Sequence, residues 1–275
     1  FPQSFDLATV GGWMATRGAG QYSNRYGNAT DIVRGLTVVL ASGEVVTLGG
    51  RAPRESVGPD LLQLFVGSEG TLGVITKVRL QLQRPWGDTT TTMIGVQSYA
   101  AAIELVRRLA LTARIKAAEV FDWFGLELAM RHLGIASPLA QRTPLVLLVE
   151  FSGDAELPDP AIVATDPRDR LRLWNLRESL PELVSREGLT HKLDIAVTPA
   201  ALDTFAERAH AILRNSTTEI CTRSHQTEPR PARRSTAAST SGSDNNWLAP
   251  SEGPPERVGP RCSLHDNRER CWLSI

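Results

Sequence analysis

The sequence predicts an α+β fold of two unlike halves followed by a segment of foreign composition. Three observations carry this. Residues 1–84 are rich in Gly, Val and Thr and read as short strands joined by glycine turns. Residues 88–214 alternate strand and helix patterns. After Leu213 the aliphatics thin out, and Ser, Thr, Pro, Arg and Gly take over. A chain of 275 residues with 41% hydrophobic content suffices for one large or two ordinary domains.

In the first half, Leu36–Leu40 and Glu44–Leu48 are β-branched runs around Ala41-Ser42-Gly43, the signature of a hairpin. Asp60–Phe65 reads as a short helix stopped by Gly67. Ile75–Leu82 alternates apolar and polar residues, so it reads as a half-buried strand. In the second half Thr89–Val96 reads as a strand. Ser98 can cap a helix with Ala102, Leu105, Val106 and Leu109 on one face. Ala117–Phe121 is a second strand, and Leu126–Leu133 a helix ended by Gly134. Pro144–Phe151 is a buried strand closed by Gly153-Asp154. Strand, helix, strand, helix, strand predicts a sandwich with helices on one face of the sheet. The segment 215–275 has too few aliphatics to offset chain entropy and reads as disordered. An interaction tail and an out-of-frame translation of a GC-rich gene both fit its composition, the second better.

Thirty basic and thirty acidic side chains cancel, so nucleic acid and anionic membrane surfaces are not favoured partners. No apolar run approaches the roughly 18 residues of a membrane span. The start, FPQSFDLATVGG, has neither a basic n-region nor an apolar h-region and does not read as a secretory signal. It opens without Met inside what reads as structured sequence, as a truncated chain would. The cysteines, Cys221, Cys262 and Cys271, lack CxxC spacing, so neither a disulfide framework nor a metal site is expected. A cysteine-free first 214 residues fits a reducing compartment, and a cytoplasmic location is expected.

The informative stretch is FVGSEGTLGVIT, Phe65–Thr76, with glycines at 67, 70 and 73. A helix cap and a turn explain one or two of them. The earlier cluster VGGWMATRGAG, Val10–Gly20, repeats the pattern. Glycine lets backbone approach a ligand, and successive amides form a concavity for phosphate oxygens. Two such loops suggest a dinucleotide. Neither is a P-loop, and the second runs helix to strand, opposite to a dinucleotide fingerprint. Spacing alone leaves packing and binding both open.

The run TVGGWMATRGAGQYSNRYGNATDIVRGLTVVLASGEVV, followed by GPDLLQLFVGSEGTLGVITKVRLQL, closely resembles the FAD-linked oxidases of the vanillyl-alcohol-oxidase type. Further along, LWNLRESLP (Leu173–Pro181) and THKLDIAVTP (Thr190–Pro199) resemble the cap of their glycolate oxidase and D-2-hydroxyacid dehydrogenase branch. The resemblance covers roughly residues 1–213. It implies a partial PCMH-type FAD-binding domain over 1–86, a ferredoxin-like-type cap over 87–214 and a disordered tail over 215–275. It also implies FAD as cofactor. Gly11, Gly12, Thr16, Gly18, Tyr26 and Gly27 would line the pyrophosphate and flavin side. Glu69, Gly70, Gly73, Val74 and Ile75 would approach the adenosine or pyrophosphate side. Arg177, then Lys192, would hold the substrate carboxylate, because Arg binds a carboxylate through parallel hydrogen bonds. Structural readings stand beside these: Tyr26 as a packed aromatic, Asp31 and Glu69 as loop caps, Arg177 as a helix-surface residue, Lys192 on a strand edge.

The implied activity is oxidation of a 2-hydroxy acid such as D-lactate, glycolate or D-2-hydroxyglutarate by hydride transfer to flavin, with an unidentified electron acceptor. The family's first FAD subdomain would precede Phe1, and a G-D-G-N-x-H segment of the cap would follow Leu213, so the chain reads as a fragment. GGWxxTRxxG and RxPRxxxGPD, at Gly11–Gly20 and Arg51–Asp60, lean instead towards an alkylglycerone-phosphate-synthase-like enzyme. An inactive remnant, or a piece that pairs with a separate first half, is the non-enzyme alternative.

Overall fold

The computed structural model describes residues 7–50, 58–188, 190–214, 219–225 and 270–274. All of them fall in one compact unit, Phe1–Glu228 with Glu269–Ile275. The segment Arg51–Asp60 is described only from Gly58 onward.

The first half opens with α1 (Val10–Ala15), whose N-cap Thr9 accepts from the Gly12 amide. Two single-turn helices follow, α2 (Ser23–Tyr26) and α3 (Ala29–Ile32). Asn28 caps α3, and Asp31 returns a bond to the Asn28 amide at 3.0 Å, so Asp31 closes a capping box. Next come β1 (Val33–Val39), β2 (Val45–Leu48), α4 (Leu62–Phe65) and β3 (Val74–Leu80). β1 pairs antiparallel with both other strands in the order β2-β1-β3. The expected hairpin forms, with Val39 opposite Val45 and Gly43 at φ +85°. Met14, Ala29, Val33, Leu36, Val38, Leu62 and Val66 make a small core between the sheet and α1.

The second half is a seven-stranded sheet. Its elements in chain order are β4 (Thr90–Val96), α5 (Tyr99–Thr112), β5 (Arg114–Asp122), α6 (Trp123–Leu133), β6 (Leu145–Ser152), β7 (Ala161–Val163), α7 (Pro167–Glu178), α8 (Leu180–Arg186), β8 (Thr190–Asp194), α9 (Leu202–Leu213), β9 (Glu219–His225) and β10 (Arg270–Ser274). The strand order is β7-β4-β6-β5-β9-β10-β8. Pairing is antiparallel up to β9, and β10 runs parallel to both β9 and β8. Ser98 caps α5 as expected, accepting from the Ala101 amide at 3.0 Å. Gly134 ends α6 at φ +65°.

Helices cover both faces of this sheet, not one. Met93, Val146 and Leu148 pack with α6, α7 and α8, while Ile94, Leu147 and Val149 pack with α5 and α9. The reason stands in β6: Leu145–Phe151 is buried throughout, and an unbroken apolar run is the mark of a strand covered on both sides. β9 and β10 fall inside the segment expected to be disordered. Ile220 is half-buried, Cys221 and Thr222 are buried, and β9 pairs along β5. The rest of that segment lies outside the described residues.

Candidate functional site

The two glycine clusters meet at the C-terminal end of α1. The Gly67 amide donates to Met14 O at 3.0 Å and the Glu69 amide to Ala15 O at 2.9 Å. This draws Gly11, Gly12, Thr16, Glu69, Gly70 and Ile75 into one neighbourhood. The glycines then divide by what surrounds them. A Cβ on Gly11 would stand 2.9 Å from Ile75 O, and one on Gly73 would stand 2.7 Å from Val38 Cγ1 and 2.8 Å from Val39 O. Gly18 lies under the Trp13 ring, whose Nε1 donates to Gly18 O at 2.8 Å. Gly11 and Gly73 let α1 and the loop close on the sheet, and Gly18 lets the chain after α1 pass close to Trp13. Gly12 meets only Thr9 Oγ1, at 3.1 Å, and Gly70, at φ +80°, has nothing within 4 Å. Glu69 is exposed in a left-handed conformation, φ +53°.

The bare backbone at Gly70, and the open Cα face of Gly12, whose amide is given to Thr9 Oγ1, fit the close approach of a pyrophosphate. Thr16 Oγ1 donates back to Gly12 O at 3.0 Å, a helix-end contact. Gly27 ends α2 at φ +84°. Tyr26 is half-buried and meets Tyr22 edge-on, with centroids 6.5 Å apart. Val74, the first residue of β3, and Leu72, two residues before it, are exposed at 65% and 48%.

The centre of the second assembly was not marked by any motif, although its partners Tyr22 and Trp174 lie in the quoted stretches. Glu150, on β6, is fully buried. Its Oε1 accepts from Lys116 Nζ (2.6 Å), Arg170 Nε (3.2 Å) and Thr89 Oγ1 (3.0 Å). Its Oε2 accepts from Arg170 Nη2 (3.2 Å), Trp174 Nε1 (3.0 Å) and Tyr22 Oη (3.2 Å). Burial alone would raise this carboxyl; the hydrogen bonds and charges of Lys116 and Arg170 outweigh it, and the group titrates below its usual range. Tyr22 comes from the glycine-rich half, so its hydroxyl ties that half to the seven-stranded sheet. Its ring lies 5.7 Å from Trp174 and 5.2 Å from Lys116 Nζ. Burial, then the Glu150 charge, pushes the phenol upward. One signal was available in the sequence: Glu150 is the only acid in a continuous apolar strand, and such an acid needs partners.

Above this cluster lies a cavity of about 360 Å³, lined by Tyr22, Arg170, Arg172, Trp174, Asn175 and Glu178. Helix α7 presents five of these. It starts at Asp166-Pro167, where Asp166 accepts from the Arg168 and Asp169 amides. A larger groove, about 580 Å³, runs along Leu193, Ile195, Phe205 and Ile212. Arg208 is the one charge in its lining, so it lacks the convergent polar groups of a reaction site.

The structure brings neither Arg177 nor Lys192 into the α7 cavity. Arg177 is 1% exposed, with Nε at 2.8 Å and Nη2 at 2.6 Å from Glu119 Oε2. Lys192 is exposed on β8, an edge strand, and donates to Ser185 Oγ at 2.7 Å. Among the described residues no group of three or more His, Cys, Asp or Glu could hold a metal ion, and no helix is long and apolar enough to cross a membrane.

Comparison with known proteins agrees with both halves. Residues 1–49 match the FAD binding domain family, and residues 87–229 match the C-terminal domain of the FAD linked oxidases. Mitochondrial D-2-hydroxyglutarate dehydrogenase of Bos taurus is 32% identical over 208 residues, 68% of this chain and 38% of that one. D-lactate dehydrogenase of Archaeoglobus fulgidus is 29% identical, over 80% of this chain and 52% of that one. The chain thus spans about half, or less, of the length of the curated relatives it matches. A solved structure of alkyldihydroxyacetonephosphate synthase superposes with TM-score 0.55 at 20% identity, covering 79% of this chain and 48% of that one. That likeness is one of fold. The family match to the cap takes in just over half of the residues, and the chain belongs to the FAD-linked oxidases.

Proposed function

We propose that the chain is the second FAD-binding subdomain and adjoining cap of a dehydrogenase that oxidises a D-2-hydroxy acid. The observation that carries this is the meeting of the two glycine clusters at α1, in the half that Tyr22 fastens to the cap through Glu150. The names of the relatives, D-2-hydroxyglutarate and D-lactate dehydrogenases, support the substrate class. Gly12 and Gly70 would hold the pyrophosphate against bare backbone, with Gly11, Gly18 and Gly73 keeping the frame closed beneath. FAD, when bound, would supply the acceptor for the hydride of the hydroxyl-bearing carbon as the hydroxyl proton leaves to a base, and a second acceptor would take the electrons onward.

Arg177 and Lys192 remain the motif-based candidates for the substrate carboxylate. Arg177 grips the buried carboxylate of Glu119. The proposed domains are 1–86 for FAD and 87–214 for the cap. The location proposed is the cytoplasm, on cysteine use; the relative from Bos taurus is described as mitochondrial.

The test is a titration of the purified chain with FAD, followed by anaerobic addition of a panel of D-2-hydroxy acids. Saturable binding with bleaching of the flavin band is the expected result. Binding without bleaching by any member would refute the hydroxy acid reading.

A further inference from the structure

Between the two halves the chain passes through Trp86, which is half-buried. Two guanidinium groups stand over its ring, one from each half. Arg25, on α2, has its Cζ 5.5 Å from the ring centroid, and Arg114, the first residue of β5, has its Cζ at 4.8 Å. Among the described residues neither side chain forms an ion pair or a hydrogen bond. Asp88, two residues beyond Trp86, is exposed and pairs with neither. A ring face attracts the charge of a guanidinium but takes none of its five N–H donors.

The surroundings add to this charge. Tyr26 stands beside Trp86 and both arginines. It meets Tyr22 edge-on, and the Tyr22 ring lies 5.2 Å from Lys116 Nζ. Lys116 and Arg170 share the single carboxylate of Glu150. The seam therefore carries four cations for one carboxylate, an imbalance that draws an anion.

We propose that Arg25 and Arg114, seated on Trp86, bind a phosphate group across the seam between the halves. The ligand class is a phosphate dianion, free or as the ester of a small molecule. A carboxylate has two oxygens in one plane, which suit a single guanidinium fork. The oxygens of a phosphate point to the corners of a tetrahedron, so one pair can face Arg25 and another Arg114. A second negative charge also answers better to the excess of cations. Arg114 belongs to the seven-stranded sheet, so the site straddles the seam and is additional to the glycine clusters at α1. It does not depend on which substrate is oxidised. A bound phosphate would tie the two halves together through the arginine that each contributes.

Calorimetric titration of the full chain with inorganic phosphate, in chloride buffer of low and constant ionic strength, tests this. Phosphate is expected to bind at one site, at least about tenfold more tightly than acetate, the ratio that one further charge-assisted hydrogen bond confers. Arg25→Gln and Arg114→Gln, both on exposed side chains, should each weaken phosphate about tenfold, with circular dichroism confirming the fold. Arg131→Gln, on α6, removes the same charge elsewhere and should leave the affinity unchanged. Saturating FAD should not displace phosphate. Glycerol 3-phosphate separates the two sources: tighter binding than inorganic phosphate assigns an ester, and equal or weaker binding assigns the free ion. The inference is overturned by an absence of saturable phosphate binding, by acetate binding as tightly, by an equal loss in Arg131→Gln, or by displacement with FAD.

Discussion

Replacing Glu150 with Gln keeps the shape of the side chain and removes its charge. Lys116 and Arg170 would then face each other without a counter-ion, and the new amide N–H₂ would meet donors where an acceptor stood. Removing one partner from a buried ion pair costs about 3–5 kcal/mol. Here Lys116 is 15% and Arg170 34% exposed, so both cations regain some water, and the lower end, about 3 kcal/mol, is expected. That is a large part of the roughly 5–15 kcal/mol that holds an ordinary domain. Urea unfolding followed by tryptophan fluorescence measures it. Adding Lys116→Met to Glu150→Gln removes one of the two uncompensated cations and their mutual repulsion, and should restore more than about 1 kcal/mol. The pH dependence has a definite sign. The folded-state pKa is depressed, so the stabilisation is complete above the unfolded value of roughly 4.3 and is lost as pH falls through the folded value. The gap between wild type and Glu150→Gln should therefore close in acid. A Glu150→Gln cost below about 1 kcal/mol at pH 7, in the range of an exposed pair, would refute the reasoning.

Asp122 should show the opposite pH sign. Burial raises it from 3.8 to about 6, against hydrogen bonds from Gly125, Thr222 and Cys221. Its native state therefore holds an extra proton between those values, and stability falls as pH rises through them, by about 3 kcal/mol at most. Asp122→Asn should remove that slope, and equal wild-type-minus-variant differences at pH 4 and pH 7 would count against it. Gly73→Ala puts a Cβ against Val38 and Val39 and should cost about 2 kcal/mol or more in thermal or urea unfolding. Gly70→Ala meets no neighbour and should cost about 1 kcal/mol through its positive φ; fluorescence titration should show it weakening FAD binding more than Gly73→Ala does in the folded fraction. Ser98→Ala removes the α5 cap bond and should cost about 1 kcal/mol by the same unfolding assay.

What the sequence made legible was local. Ser98 before an apolar-periodic run, Gly134 after one, and two β-branched runs around a glycine turn each determine their own neighbourhood, and each forms as expected. The glycine clusters were legible as a pair, but not which glycines face outward, because that depends on Trp13, Val38 and Ile75. The second helical layer was hidden only by the assumption of a one-sided sheet; Leu145–Phe151 already required it.

The arginines of α7 show where local reading stops. Arg177 falls on the stripe of Leu173, Leu176 and Leu180, at i, i+3, i+4 and i+7, and that stripe is buried. A guanidinium there needs a carboxylate in the core. Glu119 lies opposite Leu148 and Glu150 opposite Ala117 on the paired strands β5 and β6. Leu148 and Ala117 belong to the core on the α7 side, so both acids stand on one face of the sheet. Arg170 and Arg177, two turns apart on α7, take one acid each. The helix is thus pinned at two points, and a slip of one residue would part the buried Glu119 from Arg177 and leave Glu150 with Lys116 but without Arg170. With its register fixed, the side chains of α7 that stay at the cavity, Arg172, Asn175 and Glu178, are held beside Tyr22 for whatever ligand enters.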